Sequence, residues 1–366
     1  MKLPRFARIG ALTAVAALTL TGCAVNERNL PPSDSDLSGT IAGAGASSQE
    51  VAVQAWTAGF QTANPDVEVT YDSAGSGAGR ESFQAGAVAF AGSDRPFTTE
   101  ELEGTFAGCT DGSDILQLPT YISPIAIVFN VEGVDALDLD ATTLAGLFSG
   151  KITNWSDPAI AALNPDVTLP DVPVTVVHRA DDSGTTENFT DYLHQAAPAV
   201  WTWEPDGVWP DTDGANEAGQ GTSGIISSVT AGNGTIGYAD ASRASEEGLS
   251  TAAIKVGDEF VEYSPDAAAA AVDVSPFEEG RPDGDLAIAL DRTTDAAGVY
   301  PIVLISYMIA CADYVNVPAA PIVKGFLEYI ASPEGQDAAA ASAGNAPISD
   351  ALRDQINAAI DLIVTE

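Results

Sequence analysis

Three times in this 366-residue chain, an apolar run of strand character breaks at a Gly- and Ser-rich turn and resumes at helical spacing. This repeated strand, loop, helix order restricts the fold more than any single motif, because such units assemble as a sheet covered by helices. The central copy is the richest. Val172, Val174, Val176 and Val177 lead into His178-Arg179-Ala180-Asp181-Asp182-Ser183-Gly184-Thr185-Thr186, and a helix is expected over 187–195, with Phe189, Tyr192 and Leu193 at helical spacing. Ser183 is placed to cap it. First-turn N–H groups, the hydroxyls of Ser183 and Thr185 and the Arg179 guanidinium can then converge on a group of oxyanion size. Taken alone, a capped turn beside a surface cation explains the stretch as well; the repetition decides.

The first copy is a short strand from Gly39, a Gly/Ala loop over 43–46 and a capping box with Ser47 at the cap and Glu50 three residues on. Ala52, Ala55, Trp56, Gly59 and Phe60 share one face of the helix that follows. The second is the alternating strand Val67-Glu68-Val69-Thr70-Tyr71, then the turn over 72–79 containing Gly75-Ser76-Gly77, then a helix with Phe83. It is not a nucleotide P-loop, since no Lys-Ser/Thr pair follows the glycines. A further apolar stretch, Val88-Ala89-Phe90, ends in Gly92-Ser93-Asp94-Arg95-Pro96, where Asp94 serves either as a functional carboxylate at a strand end or as an Asx turn before Pro96.

Residues 116–130 form a long apolar stretch suited to a strand passing between lobes, and 300–310 a second apolar strand. The Ala-rich residues 266–272 favour a helix. Two amphipathic helices follow near the C-terminus, one carrying Val323, Phe326, Leu327 and Ile330, the other Leu352, Ile356, Ala359 and Ile363. Trp201, Trp203 and Trp209 are expected to pack against a lobe rather than to stack on a sugar or base. Gly232-Asn233-Gly234-Thr235-Ile236-Gly237 has the letters of a dinucleotide fingerprint but the wrong context, with a helix before it and a strand at its end.

At the N-terminus, Lys2, Arg5 and Arg8 precede an uncharged stretch over 9–20 and then Leu20-Thr21-Gly22-Cys23. The apolar part is too short to span a bilayer and reads as a secretory signal. Leu-Thr-Gly-Cys resembles the lipobox of bacterial lipoproteins, which implies cleavage before Cys23, a lipid on its sulfur and anchoring outside the cytoplasm. Residues 1–22 are then the signal peptide and 23–38 a polar, Pro-containing tether. Cys109 and Cys311 remain, either as a disulfide or as two free buried thiols. No Cys or His cluster has metal-ligand spacing, so no metal and no cofactor are expected. The net charge of −38 becomes −41 once the three signal cations leave, which disfavours nucleic acid as a partner. An anionic ligand is still compatible, because salt screens distant carboxylates over roughly 8 to 10 Å while a closed cleft is governed by its own N–H dipoles and Arg.

Gly-Ala-Gly-Ala-Ser over 43–47, Gly-Ser-Gly over 75–77 with Gly-Ser-Asp over 92–94, Arg-Ala-Asp-Asp-Ser-Gly-Thr over 179–185 and Gly-Thr-Ile-Gly-Tyr over 234–238, in this order behind a lipoprotein signal, resemble the phosphate-binding proteins of ABC-type phosphate uptake systems. Lys151-Ile152-Thr153-Asn154-Trp155 is similar to that family too. The resemblance runs from about residue 39 to the C-terminus. It implies a type II periplasmic-binding fold, two α/β lobes joined by two crossing strands with a ligand cleft between, lobe I from 39–130 and 298–366 and lobe II from 131–297. It implies phosphate contacts from Ser47, Ser48, Ser76 and Asp94 on one side and from Arg179, Ser183, Gly184 and Thr185 on the other, with Asp181 orienting Arg179. Ser47 stands where the family has Thr, Ser48 where it often has an aromatic residue, and Asp182 where Gly is commoner. The resemblance also places Cys109 and Cys311 in one lobe, which implies a disulfide between them, and implies a monomer that delivers phosphate to membrane permease subunits. Rival readings are a receptor for sulfate or molybdate, and a phosphoester hydrolase with Ser183 as nucleophile and His178 as its base.

Overall fold

The computed structural model describes residues 35–366; the expected signal peptide, Cys23 and the tether as far as residue 34 lie outside the described residues. The chain forms β1 (Gly39–Gly45), α1 (Glu50–Ala63), β2 (Val67–Asp72), α2 (Ser76–Gln84), β3 (Phe90–Ser93), α3 (Thr99–Leu102), β4 (Ile115–Asn130), β5 (Ala136–Leu139), α4 (Ala141–Phe148) and α5 (Pro158–Leu163). It continues through β6 (Thr175–Arg179), α6 (Gly184–Ala196), β7 (Ala215–Gly219), α7 (Gly221–Ala231), β8 (Thr235–Asp240), α8 (Ala241–Glu247), β9 (Ser250–Val256), β10 (Glu259–Val261) and α9 (Pro265–Asp273). Last come β11 (Val303–Cys311), a 3₁₀ turn (Val317–Ala319), α10 (Ala320–Ala331), α11 (Pro333–Ala343) and α12 (Asp350–Ile360).

The strands run in the order β2-β1-β3-β11-β4-β8-β6-β7, with β5, β9 and β10 on a branch from β4. At one end β2, β1 and β3 are parallel, and at the other β6 is parallel to both β7 and β8. β4 joins the two ends. Its first part, through Pro124, pairs antiparallel with β11, and from Ile125 to Asn130 it pairs antiparallel with β8. Every residue of β4 but the last is buried, as is all of β11. Strands covered on both faces are largely apolar, which is why these two read as near-continuous hydrophobic runs, interrupted by the buried Gln117, Thr120 and Ser123 in β4 and Ser306 in β11, and not as alternating ones.

The helices bury the faces their periodicity defines. In α1 these are Ala52, Val53, Trp56 and Phe60, and the Trp56 Nε1–H donates to the Gly335 carbonyl at 2.8 Å, fixing α1 to α11. Fully burying side chains of this size contributes roughly 1.5 to 3 kcal/mol each. Trp201 is buried against Trp203 and Trp209, and Trp209 stacks near Tyr238, so these aromatics form core as expected. Cys109 and Cys311 form a disulfide with Cα atoms 5.4 Å apart across a sequence separation of 202. Closing so long a loop restricts the unfolded chain and stabilises the fold by about 2 to 4 kcal/mol.

One local expectation fails. The capping box proposed for Ser47 and Glu50 is not formed: Gln49 is the N-cap of α1, with no side-chain cap. The Ser47 hydroxyl is drawn instead to Arg179 and Thr222, because a charged donor and a backbone N–H together outweigh one capping bond. A capping box is present instead at α3, between Thr98 and Glu101. The sequence reading also passed over α11 and the strands β5, β7, β9 and β10.

Candidate functional site

Parallel strands present their carboxyl ends to the loops that enter the following helices, and ligand crevices in such sheets lie outside those ends. Here five of these loops meet. From the β2-β1-β3 end come the β1–α1 loop with Ser47 and Ser48, the start of α2 with Ser76, and Asp94 just beyond β3. Opposite them stand the β6–α6 loop, from Arg179 to Thr185, and the β7–α7 loop with Gly221 and Thr222. Ser47, Ser48, Ser76, Asp94, Arg179, Ser183 and Thr185 are all buried.

Asp94 is the hub. Its Oδ1 accepts hydrogen bonds from Ser48 Oγ at 2.5 Å and Ser306 Oγ at 2.8 Å, and its Oδ2 accepts one from Thr185 Oγ1 at 2.9 Å. Its N–H donates to Ser76 Oγ at 3.1 Å, and its carbonyl accepts from Asn188 Nδ2 at 2.7 Å. Burial pushes the Asp94 carboxyl upward, and the three hydroxyls and the Arg179 charge oppose that rise only in part. Helix α6 can come this close because residue 184 is Gly: a Cβ there would lie 2.6 Å from the Asp94 Cβ and 2.7 Å from Ser76 Oγ.

Arg179 ends β6 and is 3% exposed. Its Nε–H donates to Asp181 Oδ1 at 2.9 Å, while Nη2 donates to Asp181 Oδ2 and, at 3.0 Å, to Ser47 Oγ. Asp181 thus aims the guanidinium, and is itself held by the Gly221 N–H at 3.0 Å. Burial alone would raise the Asp181 carboxyl, but the bonds and charge of Arg179 carry it below the usual carboxylate range. Among the described residues no acceptor binds Arg179 Nη1, so two donors of the fork remain outside this internal network. Behind Arg179, its backbone N–H donates to the Tyr238 hydroxyl at 3.2 Å, which also meets Thr186 Oγ1 at 2.7 Å. Burial pushes that phenol up to about 12, so it stays a neutral spacer at ordinary pH. This gives the Gly-Thr-Ile-Gly-Tyr stretch its place in the site.

Ser183 caps α6, accepting from the Thr186 N–H at 3.2 Å. The N–H groups of Gly184 and Thr185, in the first turn, have no acceptor within the helix. Asp182 occupies its unusual position without disturbing the loop: its carbonyl accepts from the Gly77 N–H at 3.2 Å and its carboxylate stands 3.8 Å from Arg80. His178 Nδ1 lies 2.9 Å from the Arg179 carbonyl and its ring stacks on Trp209, while Ser183 Oγ accepts from the Thr186 N–H, so among the described residues no hydrogen bond forms the base–nucleophile pair of the hydrolase reading.

Three participants escaped the sequence reading. Ser306 sits on β11, and its signal is a hydroxyl inside an otherwise apolar, wholly buried strand. Thr222 is the second residue of α7, its N–H donating to Ser47 Oγ at 3.2 Å. Gly219-Gln220-Gly221-Thr222 is a fourth strand, Gly loop, helix junction, concealed because β7 buries only its last residue and so carries no apolar pattern. Asn188, one turn into α6, links Asp94 to the Gly184 carbonyl.

A PBP superfamily domain matches residues 31–334. The chain is 33% identical over 376 residues to Phosphate-binding protein PstS 3 of Mycobacterium leprae (strain TN), covering 99% of this chain and all of that one. Against Phosphate-binding protein PstS of Xylella fastidiosa (strain Temecula1 / ATCC 700964) the identity is 31%, covering 83% and 84% of the two chains. Among solved structures, a high affinity periplasmic phosphate-binding protein (PfluDING) bound with phosphate shares the fold with a TM-score of 0.69 at 23% identity, over 87% of this chain and 93% of that one. The family-model match and the nearly full-length similarity, together with the mixed α/β fold and its converging loop ends, place this chain in the PstS family of phosphate-binding proteins, within the PBP superfamily.

Proposed function

We propose that this protein is an extracytoplasmic receptor that captures hydrogen phosphate between two lobes, 39–130 with 298–366 and 131–297, and delivers it to the permease subunits of an ABC-type phosphate transporter. The observation that carries this reading is the pairing of one buried acceptor, Asp94, with a surrounding set of donors. Ser47, Ser48 and Ser76 supply hydroxyls or N–H groups from one lobe; Ser183, Gly184, Thr185 and the free Nη1 of Arg179 supply them from the other. An ionised carboxylate is acceptor-only. It therefore suits an oxyanion that still carries a proton, which favours hydrogen phosphate over sulfate or molybdate. The protein acts as a monomeric binding protein and not as an enzyme, a reading supported by the other partners that His178 Nδ1 and Ser183 Oγ take, the Arg179 carbonyl and the Thr186 N–H. Calorimetric titration with phosphate, arsenate, sulfate and molybdate tests this. Phosphate and arsenate should bind and the other two should not; equal binding of sulfate, or no heat with any of the four, would overturn it.

Anchoring belongs to the same proposal. Cys23 is the lipid attachment point and residues 23–38 the tether, with residues 1–22 removed. A fatty-acid label should enter the wild-type chain and not Cys23→Ser; a labelled mutant would remove the anchor from this account.

A further inference from the structure

One stripe of α6 continues past the ligand-facing loop onto the far side of the cleft. Gly184, Glu187, Asn188 and Asp191 recur at the spacing that brings side chains to a single helix face. Gly184 lies against Asp94 and Ser76. Glu187 Oε2 stands 2.8 Å from Arg95 Nε, Asn188 Nδ2 donates to the Asp94 carbonyl at 2.7 Å, and Arg292 Nε donates to Asp191 Oδ2 at 3.0 Å. A polar helix stripe normally faces water. This one is taken up by protein along its length, while Phe189, Tyr192 and Leu193 bury the apolar face.

Arg95 directly follows Asp94, and Glu187 lies two residues beyond Thr185, so their ion pair braces the 2.9 Å contact between Thr185 Oγ1 and Asp94 Oδ2. Its two members are held differently. Glu101, from the capping box of α3, accepts from Arg95 Nη1 at 2.6 Å and Nη2 at 2.9 Å, and the Pro96 carbonyl accepts from Nη1 at 2.8 Å. These partners belong to the same side of the cleft as Arg95, so the guanidinium keeps its place whether or not α6 is near. Arg95 is the one ion-pair partner of Glu187 among the described residues, and burial raises the Glu187 carboxyl although Arg95 and Arg80 pull it down. A carboxylate so placed gains a cation when α6 docks and water when it leaves. Two other ion pairs join the same sides at longer range, Arg80–Asp182 at 3.8 Å and Arg243–Glu50 at 3.6 Å, which leaves Arg95–Glu187 as the tightest of the three.

Resting on the phosphate-receptor reading above, we propose that Arg95 and Glu187 form a clasp across the cleft, and that these two positioning residues, neither among the ligand contacts assigned above, set how long bound phosphate is retained. Breaking the clasp frees the first turns of α6, and with them the Ser183, Gly184 and Thr185 donors, to swing away from Asp94 and release the ligand. The charge balance of the chain fits this assignment. With 14 Lys and Arg against 52 Asp and Glu, most carboxylates have no cation to meet, and like charge on the two sides of the cleft favours opening. A cation on the seam counters that repulsion at the point where the ligand is held.

Release of labelled inorganic phosphate, chased with an excess of unlabelled phosphate, tests the clasp in wild type, Arg95→Met, Glu187→Gln and the double variant, with affinities from calorimetry alongside. Each single variant should release phosphate about 3- to 30-fold faster, a range between those of exposed and fully buried ion pairs, and most of the affinity loss should lie in this rate. The double variant should be no faster than the faster single, because the pair is already broken. Melting curves without phosphate identify a variant that fails to fold, in place of which Arg95→Lys or Glu187→Asp, each keeping the charge but not the geometry, should still release phosphate faster than wild type. Wild-type release from Glu187→Gln, or single effects that multiply in the double variant, would overturn the clasp and leave the phosphate reading standing. No phosphate bound by wild type would instead defeat the reading beneath it.

Discussion

Replacing Arg179 with Ala is expected to weaken phosphate binding by about two to four orders of magnitude. Charge-assisted hydrogen bonds contribute roughly 1.5 to 3 kcal/mol each, and the two Nη1 hydrogens left outside the internal network can supply a pair of them, so about 3 to 6 kcal/mol is at stake. A second effect has the same sign. Asp181 is held ionised by Arg179, and without the guanidinium a carboxylate would stand uncompensated beside the incoming dianion. Arg179→Lys should recover only part of the loss, because an ammonium cannot grip Asp181 through two nitrogens and still present a planar fork to the ligand. Calorimetric titration of both variants with phosphate measures this directly. Wild-type affinity in Arg179→Ala would mean that the site lies elsewhere.

How far the site was legible in the sequence follows from where each residue's constraint originates. Ser183 could be read as a cap because its partner, the Thr186 N–H, is three residues away. The long strands were legible because burial on both faces leaves few polar positions, Gln117, Thr120 and Ser123 in β4 and Ser306 in β11, and of these Ser306 is the one that reaches Asp94. Ser47 was misread for the opposite reason. Glu50 sits at the spacing of a local cap, yet the partners that capture the Ser47 hydroxyl are 132 and 175 residues away. Periodicity contains nothing about contacts of that range. The family resemblance did supply the Cys109–Cys311 pairing and the assembly of Asp94 with Arg179 and Thr185, neither of which spacing could yield. β7 stayed invisible because an exposed edge strand needs no hydrophobic alternation, and with it the α7 junction that steadies Asp181 and Ser47 was lost.

Asp94→Asn should narrow the preference for phosphate over sulfate, and the direction can be worked out from the atoms around it. Sulfate matches hydrogen phosphate in shape and charge but has no proton to give. In the wild type its nearest oxygen would face the open lone pair of Oδ2, acceptor against acceptor, in a cleft where Asp94 is 3% exposed. An unmet buried polar or charged group costs at least about 1 to 3 kcal/mol, which corresponds to roughly 5- to 150-fold against sulfate before any repulsion between the charges is counted. The Asn side chain has a natural orientation here. Its amide oxygen takes the place where Ser48 and Ser306 donate, which directs its NH2 toward the former Oδ2 position, where Thr185 can turn its hydroxyl to accept. The ligand then meets a donor where it had met an acceptor. Phosphate loses the partner for its O–H, and sulfate loses its obstacle. The affinity ratio should therefore fall because rejection is relieved, while phosphate itself binds no better than before. Paired titrations of wild type and Asp94→Asn with both anions at one pH decide the matter, and an unchanged ratio would show that Asp94 is not the residue that tells the two apart.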